Sequence, residues 1–299
     1  MSDDIPSPRD RAASLAFEAV IGGLRRLPYE RRIPAAGRVF ARLLGPLAGW
    51  PARIRANLAL ACPDLAPAEI ARLVRAVPDN AGRAMAETYS GAEFTARMAA
   101  TSWLEGEGLP VIEAAAGGGR PVILACAHFG NYDALRAVLA ARGWPVGGLY
   151  RPMNNIAFNR HYVPAIEAIA EPVFPRGREG LGRMLRFLRQ GGMLCLGFDQ
   201  HVRGGETLSF FDLPAKTALT PAELALRHDA PLVPIHAIRQ PDGLTFRVHA
   251  FAPVPPGEPA AMMQACNDGL EALVRAHMDQ WFWVHRRWKG VRGPAPRRE

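Results

Sequence analysis

Lysine is nearly missing from this 299-residue chain: Lys216 and Lys289 are the only two among 36 basic residues. Arginine supplies the rest of a formal charge of +8. A basic balance of this kind selects anionic partners, whether nucleic acid, anionic lipid or an acidic carrier protein. The planar guanidinium fork suits phosphate bidentately, although genomic base composition would produce the same bias. Cysteine is also scarce. Cys62, Cys126, Cys195 and Cys266 show no CxxC spacing or pairing pattern, and Cys126 and Cys195 fall in apolar runs. They read as buried thiols of a reducing compartment, which excludes a disulfide scaffold. Long apolar runs are absent too. The longest candidate, Leu43 to Ala52, is broken by Pro46 and Pro51, so a spanning helix is not expected. Asp3, Asp4 and Asp10 stand where a signal peptide would be basic, and no apolar region with a cleavage site follows. Internal repeats are missing. What remains is 49% hydrophobic and 21% charged residues, a globular composition that excludes disorder.

Hydrophobic periodicity divides the chain into three regions. Residues 11–100 read as helical. Phe17, Val20, Ile21 and Leu24 follow i, i+3, i+4, i+7 spacing, Val39 to Leu44 carry a second apolar stripe flanked by arginines, and Pro67 introduces a third helix through Ile70, Leu73, Val74 and Val77. From Gly108 to Pro255 the period alternates. Pro121–Phe129 and Met193–Phe198 are near-continuous apolar runs, as strands buried on both faces should be. Val146–Tyr150 and Pro231–Ile238 are further strands, and Asp242-Gly243 turns the last of these into a hairpin with Leu244–Ala250. Helices over 131–142, 156–170, 179–190 and 221–228 separate the strands. This alternation predicts an α/β fold with a mixed, mostly parallel sheet flanked by helices. A helix from Pro259 and the stretch Trp281 to Lys289 follow, then a basic tail through Arg297 and Arg298, expected to be loose. The boundaries expected are a helical region over 1–100 and an α/β domain over 101–299.

Chemistry concentrates at His128-Phe129-Gly130-Asn131-Tyr132-Asp133, where a buried strand gives way to a helix. The sheet fixes such an end while the edge stays accessible. Asn131 is a good helix cap, and Asp133 falls in the first turn, where the dipole favours a carboxylate. One helical turn would fold Asp133 back towards His128, holding the tautomer so that the other nitrogen takes a proton from an alcohol. The motif contains no serine or cysteine to act as nucleophile, which suits direct attack by a substrate hydroxyl. The same residues also fit a strand-end histidine bonded to a helix cap. Asp199, His201 and His161 would be needed for a metal reading, but their spacing matches no common ligand pattern.

Further blocks follow in order: Tyr150-Arg151-Pro152, Pro175 to Leu181 (PRGREGL), Gly197-Phe198-Asp199-Gln200, Phe210 to Pro221 (FFDLPAKTALTP), Leu232-Val233-Pro234 and Trp283 to Trp288 (WVHRRW), with Asn57 to Pro63 (NLALACP) ahead of them. With these the chain resembles the bacterial lipid A biosynthesis acyltransferases, a lauroyl/myristoyl transferase branch of the glycerolipid acyltransferases with their His-x4-Asp signature. The resemblance covers nearly the whole chain.

It implies His128 as general base with Asp133 as its orienter. Arg151, Arg176 and Arg178 would bind phosphate on acceptor or donor, solvated loop charges being the alternative for the last two. Asp199 ends a buried strand as His128 does, so both can face one cleft; it also suits a turn before Gly204-Gly205. Thr217 would line the acceptor site, while Thr220 suits helix capping before Pro221. The implied activity is transfer of a fatty acyl chain from an acyl carrier protein thioester, or coenzyme A, to a hydroxyl of a phosphate-bearing lipid A precursor. A lysophospholipid or other glycolipid acceptor is the alternative, and an inactive membrane-binding or assembly protein is the alternative of another class. No metal or organic cofactor is implied, and no nucleic-acid module is recognisable. Relatives of this kind commonly start with a membrane-anchoring segment, but Glu18, Arg25, Arg26, Arg38 and Arg42 interrupt it here. Peripheral attachment of the helical region to the cytoplasmic face of the inner membrane is therefore expected. Trp283, Arg286, Arg287 and Trp288 suit either a membrane interface or a core strand or helix with solvated arginines, and a mixture of the two is expected.

Overall fold

The computed structural model describes residues 6–291; the basic tail at Arg297 and Arg298 lies outside the described residues. The helical region comprises α1 (Pro8–Leu24), α2 (Tyr29–Val39), a π-helical turn (Phe40–Leu44), α3 (Gly45–Leu47), α4 (Trp50–Ala61), α5 (Pro67–Thr88) and α6 (Ala92–Thr101). Then follow β1 (Trp103–Glu105), α7 (Leu109–Gly117), β2 (Val122–Cys126), α8 (Tyr132–Ala141), β3 (Val146–Tyr150), α9 (Ile156–Glu167), β4 (Val173–Pro175), α10 (Arg178–Arg189) and β5 (Met193–Gly197). The chain continues through β6 (Glu206–Phe210), β7 (Leu213–Thr217), α11 (Thr220–Arg227), β8 (Leu232–Arg239), β9 (Phe246–Ala250) and α12 (Pro259–Ala276).

Seven strands form one mixed sheet in the order β1-β9-β8-β2-β5-β3-β4, parallel except where the hairpin makes β8 and β9 antiparallel. The expected fold class is therefore observed. β2 alternates between two cores, as its apolar run requires. Ile123, Ala125 and Ala127 join the cluster of α4, α5, α12 and Trp281, whereas Val122, Leu124 and Cys126 join that of α2, α6 and α8. Because α2, α4 and α5 supply side chains to these two cores, the helical region is fused to the sheet through shared hydrophobic burial. The strands missed from sequence are the three-residue β1 and β4 and the hairpin β6–β7. They are too short or too exposed to show an apolar period.

The α1 stripe faces inward. Ile21 is buried, and Phe17 packs its ring on Tyr89, Phe158 and His161 at centroid distances of 5.4, 4.9 and 5.8 Å. His161 adds hydrogen bonds to Tyr89 Oη at 2.6 Å and Ser14 Oγ at 3.0 Å. The stripe expected at a lipid surface is thus occupied by α5 and α9, because a nearer apolar surface is available within the fold. Phe17→Ala should cost roughly 1–3 kcal/mol, less than the ~3–5 of a fully buried ring. Denaturant melting checks this, and an unchanged midpoint would mean that α1 is held by other contacts. Among the described residues no helix is long and apolar enough to cross a membrane.

Candidate active site

The strand-end residues singled out in the sequence lie along one edge of the sheet. β2, β3, β4 and β5 run parallel, so the residues following each strand, among them His128, Arg151, Arg176 and Asp199, emerge together at its carboxyl edge. β2 and β5 are neighbours with Cys126 opposite Gly197. Two residues further along each chain, His128 stands beside Asp199.

That register decides the histidine's partner. His128 Nδ1–H donates to Asp199 Oδ1 at 2.8 Å, and the His128 backbone N–H donates to Oδ2 at 3.0 Å. The Trp281 indole N–H also donates to Oδ2, at 2.9 Å. Asp199 is fully buried, with three donors on its two oxygens. Burial by itself would raise its pKa; the charge and hydrogen bonds of His128 outweigh it and hold the carboxyl well below the usual range. His128 keeps 31% of its side chain open to solvent. Burial opposes its charged form, but the charge and hydrogen bond of Asp199, with Asp133 adding its charge, raise its pKa above the ordinary value.

The contact expected between Asp133 and His128 is not formed. Asp133 is capped in place by Asn131, whose side chain accepts its backbone N–H at 2.9 Å. Its carboxylate takes Arg136 at 2.8 Å and Thr88 Oγ–H at 3.1 Å, all buried. The first helical turn points Asp133 into the α5–α8 packing, where Arg136 three residues on is its nearest cation. It acts on His128 through charge, while Asp199 supplies the hydrogen bond. Gly130 allows the sharp exit from β2. Its φ is +56°, and a Cβ there would lie 1.9 Å from the Ala237 carbonyl oxygen, so no other residue fits without moving β8.

On the open side, the Gln200 amide donates to His128 Nε2 at 3.0 Å and to His285 Nε2 at 2.9 Å. His285 is kept neutral: burial, then the neighbouring His128, lowers its pKa to about 3. Gln200 and His285 line a small cleft of about 210 Å³ with His201, Arg286 and Lys289. Both residues fall inside the sequence blocks that carry the family resemblance, with no chemical role evident from the sequence. Their only signal was polarity next to apolar anchors.

The remaining predicted residues divide. Arg151, Arg176 and Arg178 are exposed at the same sheet edge; Arg151 is steadied by Asn154, and the Arg176 backbone N–H donates to the Tyr150 carbonyl at 2.8 Å. Thr217 is fully buried and accepts from Arg287 at 2.7 Å, so it lies behind the cleft. Arg287 is itself buried, its pKa lowered by desolvation to about 10. It donates to the carbonyls of Gln200 and Lys216 at 3.2 and 2.8 Å, pinning the loop that carries Asp199 and Gln200. Trp283 and Trp288 are core, leaving Arg286 as the exposed member of the expected mixture. Thr220 is the first residue of α11 and makes no capping bond, the cap position being Leu219. His161, on α9, is bonded to Tyr89 and to Ser14 of α1 rather than placed beside Asp199. Among the described residues no group of three metal-ligating side chains converges.

A histidine fixed at Nδ1 by a buried carboxylate, with Nε2 on the accessible side and no serine or cysteine among its hydrogen-bond partners in the described residues, is able to take a proton from a hydroxyl. The family described as bacterial lipid A biosynthesis acyltransferase matches the chain over residues 10–290. The chain belongs to that family. It is also similar to the phosphatidylinositol mannoside acyltransferase of Mycolicibacterium smegmatis, 26% identical over 251 residues, 80% of each chain. The enzyme of that name from Mycobacterium tuberculosis (strain CDC 1551 / Oshkosh) is 26% identical over 185 residues, 60% of this chain. The matched part spans 58% of that relative's length.

Proposed function

We propose that this protein is a membrane-associated O-acyltransferase that moves a fatty acyl chain from an acyl carrier protein thioester to a hydroxyl of a phosphate-bearing glycolipid. The observation that carries the reading is the His128–Asp199 pair, at 2.8 Å, with no serine or cysteine hydrogen-bonded to it among the described residues. The acceptor hydroxyl displaces the Gln200 amide from His128 Nε2 and gives its proton to that nitrogen as its oxygen attacks the thioester carbonyl. Asp199 stabilises the imidazolium that forms. The tetrahedral intermediate collapses with cleavage of the carbon–sulfur bond. The departing thiolate recovers the proton from His128, so the base is regenerated. Arg151, Arg176 and Arg178 stand at the same edge to hold phosphate.

Two acceptors are in view. The family description favours a lipid A precursor, and the names of the two mycobacterial relatives favour a mannoside of phosphatidylinositol. Incubating the purified protein with acyl carrier protein or coenzyme A thioesters and each lipid, followed by mass spectrometry, distinguishes them. A gain of one acyl chain on either glycolipid supports the reading. Thioester hydrolysis with every acceptor unchanged would sink it.

Arg151→Lys keeps the charge but loses the planar fork. It should raise KM for the phosphorylated substrate several-fold with little change in kcat, and Arg151→Ala should raise it further. Unchanged KM in both variants would leave Arg151 a structural residue.

A further inference from the structure

A larger cavity, about 1290 Å³, lies between the helical region and the β8–β9 hairpin. Its long wall is one face of α5. Arg72, Arg75, Asp79, Asn80 and Arg83 recur at helical spacing along it, while Leu73, Val74 and Val77 on the other face enter the core. Arg38 and Arg42, from α2 and the π-helical turn, face them. The two walls are locked by close packing: a Cβ on Gly82 would lie 2.6 Å from Phe40 Cβ, so α5 and the π-helical turn touch through a missing side chain. At the floor, Asn80 donates to the Gly130 carbonyl at 3.1 Å. The cavity shares no lining residue with the cleft at Gln200 and His285.

Its charge is unbalanced. Seven arginines line it against two aspartates. Arg72, Arg83 and Arg247 are paired with Glu69, Asp79 and Glu105 at 2.8, 2.5 and 3.2 Å. Arg38, Arg42 and Arg75 have no carboxylate within 4.0 Å among the described residues and are exposed. Three guanidinium groups without a carboxylate partner, around one concavity, have the chemistry to hold a phosphate. The rim is apolar. Leu43, the residue after Arg42, is 53% exposed, and Leu47, one turn on, is 78% exposed, the most exposed large apolar side chain among the described residues. Leucines projecting beside arginines match a bilayer interface, with apolar tips below the headgroups and cations among the phosphates.

We propose that this arginine-lined groove is a second lipid site, which takes the phosphate of an anionic membrane lipid while Leu43 and Leu47 enter the interface. The inference rests on the membrane-associated reading and names where the membrane is held: on α2, the π-helical turn and α5 rather than on the α1 stripe. An acidic carrier protein would meet the same charges, but projecting leucines beside a concave groove favour a bilayer.

The test is co-sedimentation with phosphatidylcholine vesicles, with and without phosphatidylglycerol. Wild type should prefer the anionic vesicles. Arg38→Gln/Arg42→Gln/Arg75→Gln should weaken that binding on the order of 10–100-fold, and Leu43→Ser/Leu47→Ser should weaken it on vesicles of either kind. Melting temperatures near wild type confirm that the variants are folded. The charge-matched control, Arg25→Gln/Arg26→Gln/Arg55→Gln, lies outside the groove and should change binding little. An equal loss in this control would overturn the site, since net charge alone would then explain the attraction. Wild-type protein that ignores anionic vesicles would overturn the membrane reading itself. Full vesicle binding by the groove variant would overturn only the site, and loss of acyl carrier protein binding in that variant would reassign the groove to the donor. In a further arm, saturable binding of glycerol 3-phosphate that needs the three arginines but not the leucines, with vesicle binding intact, would make the ligand a soluble phosphate and overturn the lipid assignment.

Discussion

Replacing His128 with alanine is expected to lower turnover by roughly 10²- to 10⁴-fold, the usual range for loss of a positioned general base. The side chain touches Asp199 and Gln200 and is partly open to solvent, so the variant should fold, with a lower melting temperature because the buried Asp199 loses a donor. The loss should fall on kcat with KM for the acyl donor little changed, because the proton is taken only as the new carbon–oxygen bond forms. Steady-state transfer to a lipid acceptor checks this. A variant with near wild-type turnover would show that the substrate hydroxyl is activated elsewhere.

The second large effect separates the two aspartates. Asp199→Asn should lower kcat/KM by a similar order, since Asp199 carries the hydrogen bond that fixes the His128 tautomer. It should also move the pH profile. Asp199 raises the His128 pKa, and a general base works unprotonated, so activity rises as pH climbs through that value. Removing the carboxylate charge lowers the pKa, and the acid limb of kcat/KM should shift towards lower pH. Asp133→Asn should behave differently. It breaks a buried pair with Arg136 at 2.8 Å and leaves that guanidinium uncompensated, at a cost of about 3–5 kcal/mol in stability. In protein that remains folded, the acid limb should move less than in Asp199→Asn. A pH profile shifted more by Asp133→Asn than by Asp199→Asn would reverse the assignment of the histidine's partner.

The two carboxylates show how far sequence reading reached. Asp133 was legible because it sits five residues from His128 with a helix cap between, and local geometry is what a sequence displays. Asp199 was legible as a strand-end residue able to share a cleft with His128, but not as its bonded partner. That pairing follows from β2 lying beside β5 with Cys126 opposite Gly197, a contact across about seventy residues of chain that no local period encodes. Gln200, His285 and Trp281 reach the site in the same way. Glu87 and Arg239, a buried pair at 2.5 Å whose Glu87 also holds Asn131, gave no sequence signal at all, because a glutamate near the end of α5 looks like any solvated charge.

By itself the sequence determined the α/β class, the apolar strands, the proline-started helices α5 and α12, the Asn131 cap and the strand-end placement of His128, Arg151 and Asp199. Each of these follows from backbone propensity or from apolar periods of two and 3.6 residues, which act between near neighbours. Only the tertiary structure decided which carboxylate holds His128, that Thr217, Arg287, Trp283 and Trp288 are interior, and that the α1 stripe is spent on Tyr89 and Phe158. It also decided that the free arginines of α2 and α5 gather in one groove. These depend on which surfaces remain when distant segments compete for the same burial, and that competition is settled by the whole fold rather than by any segment of it.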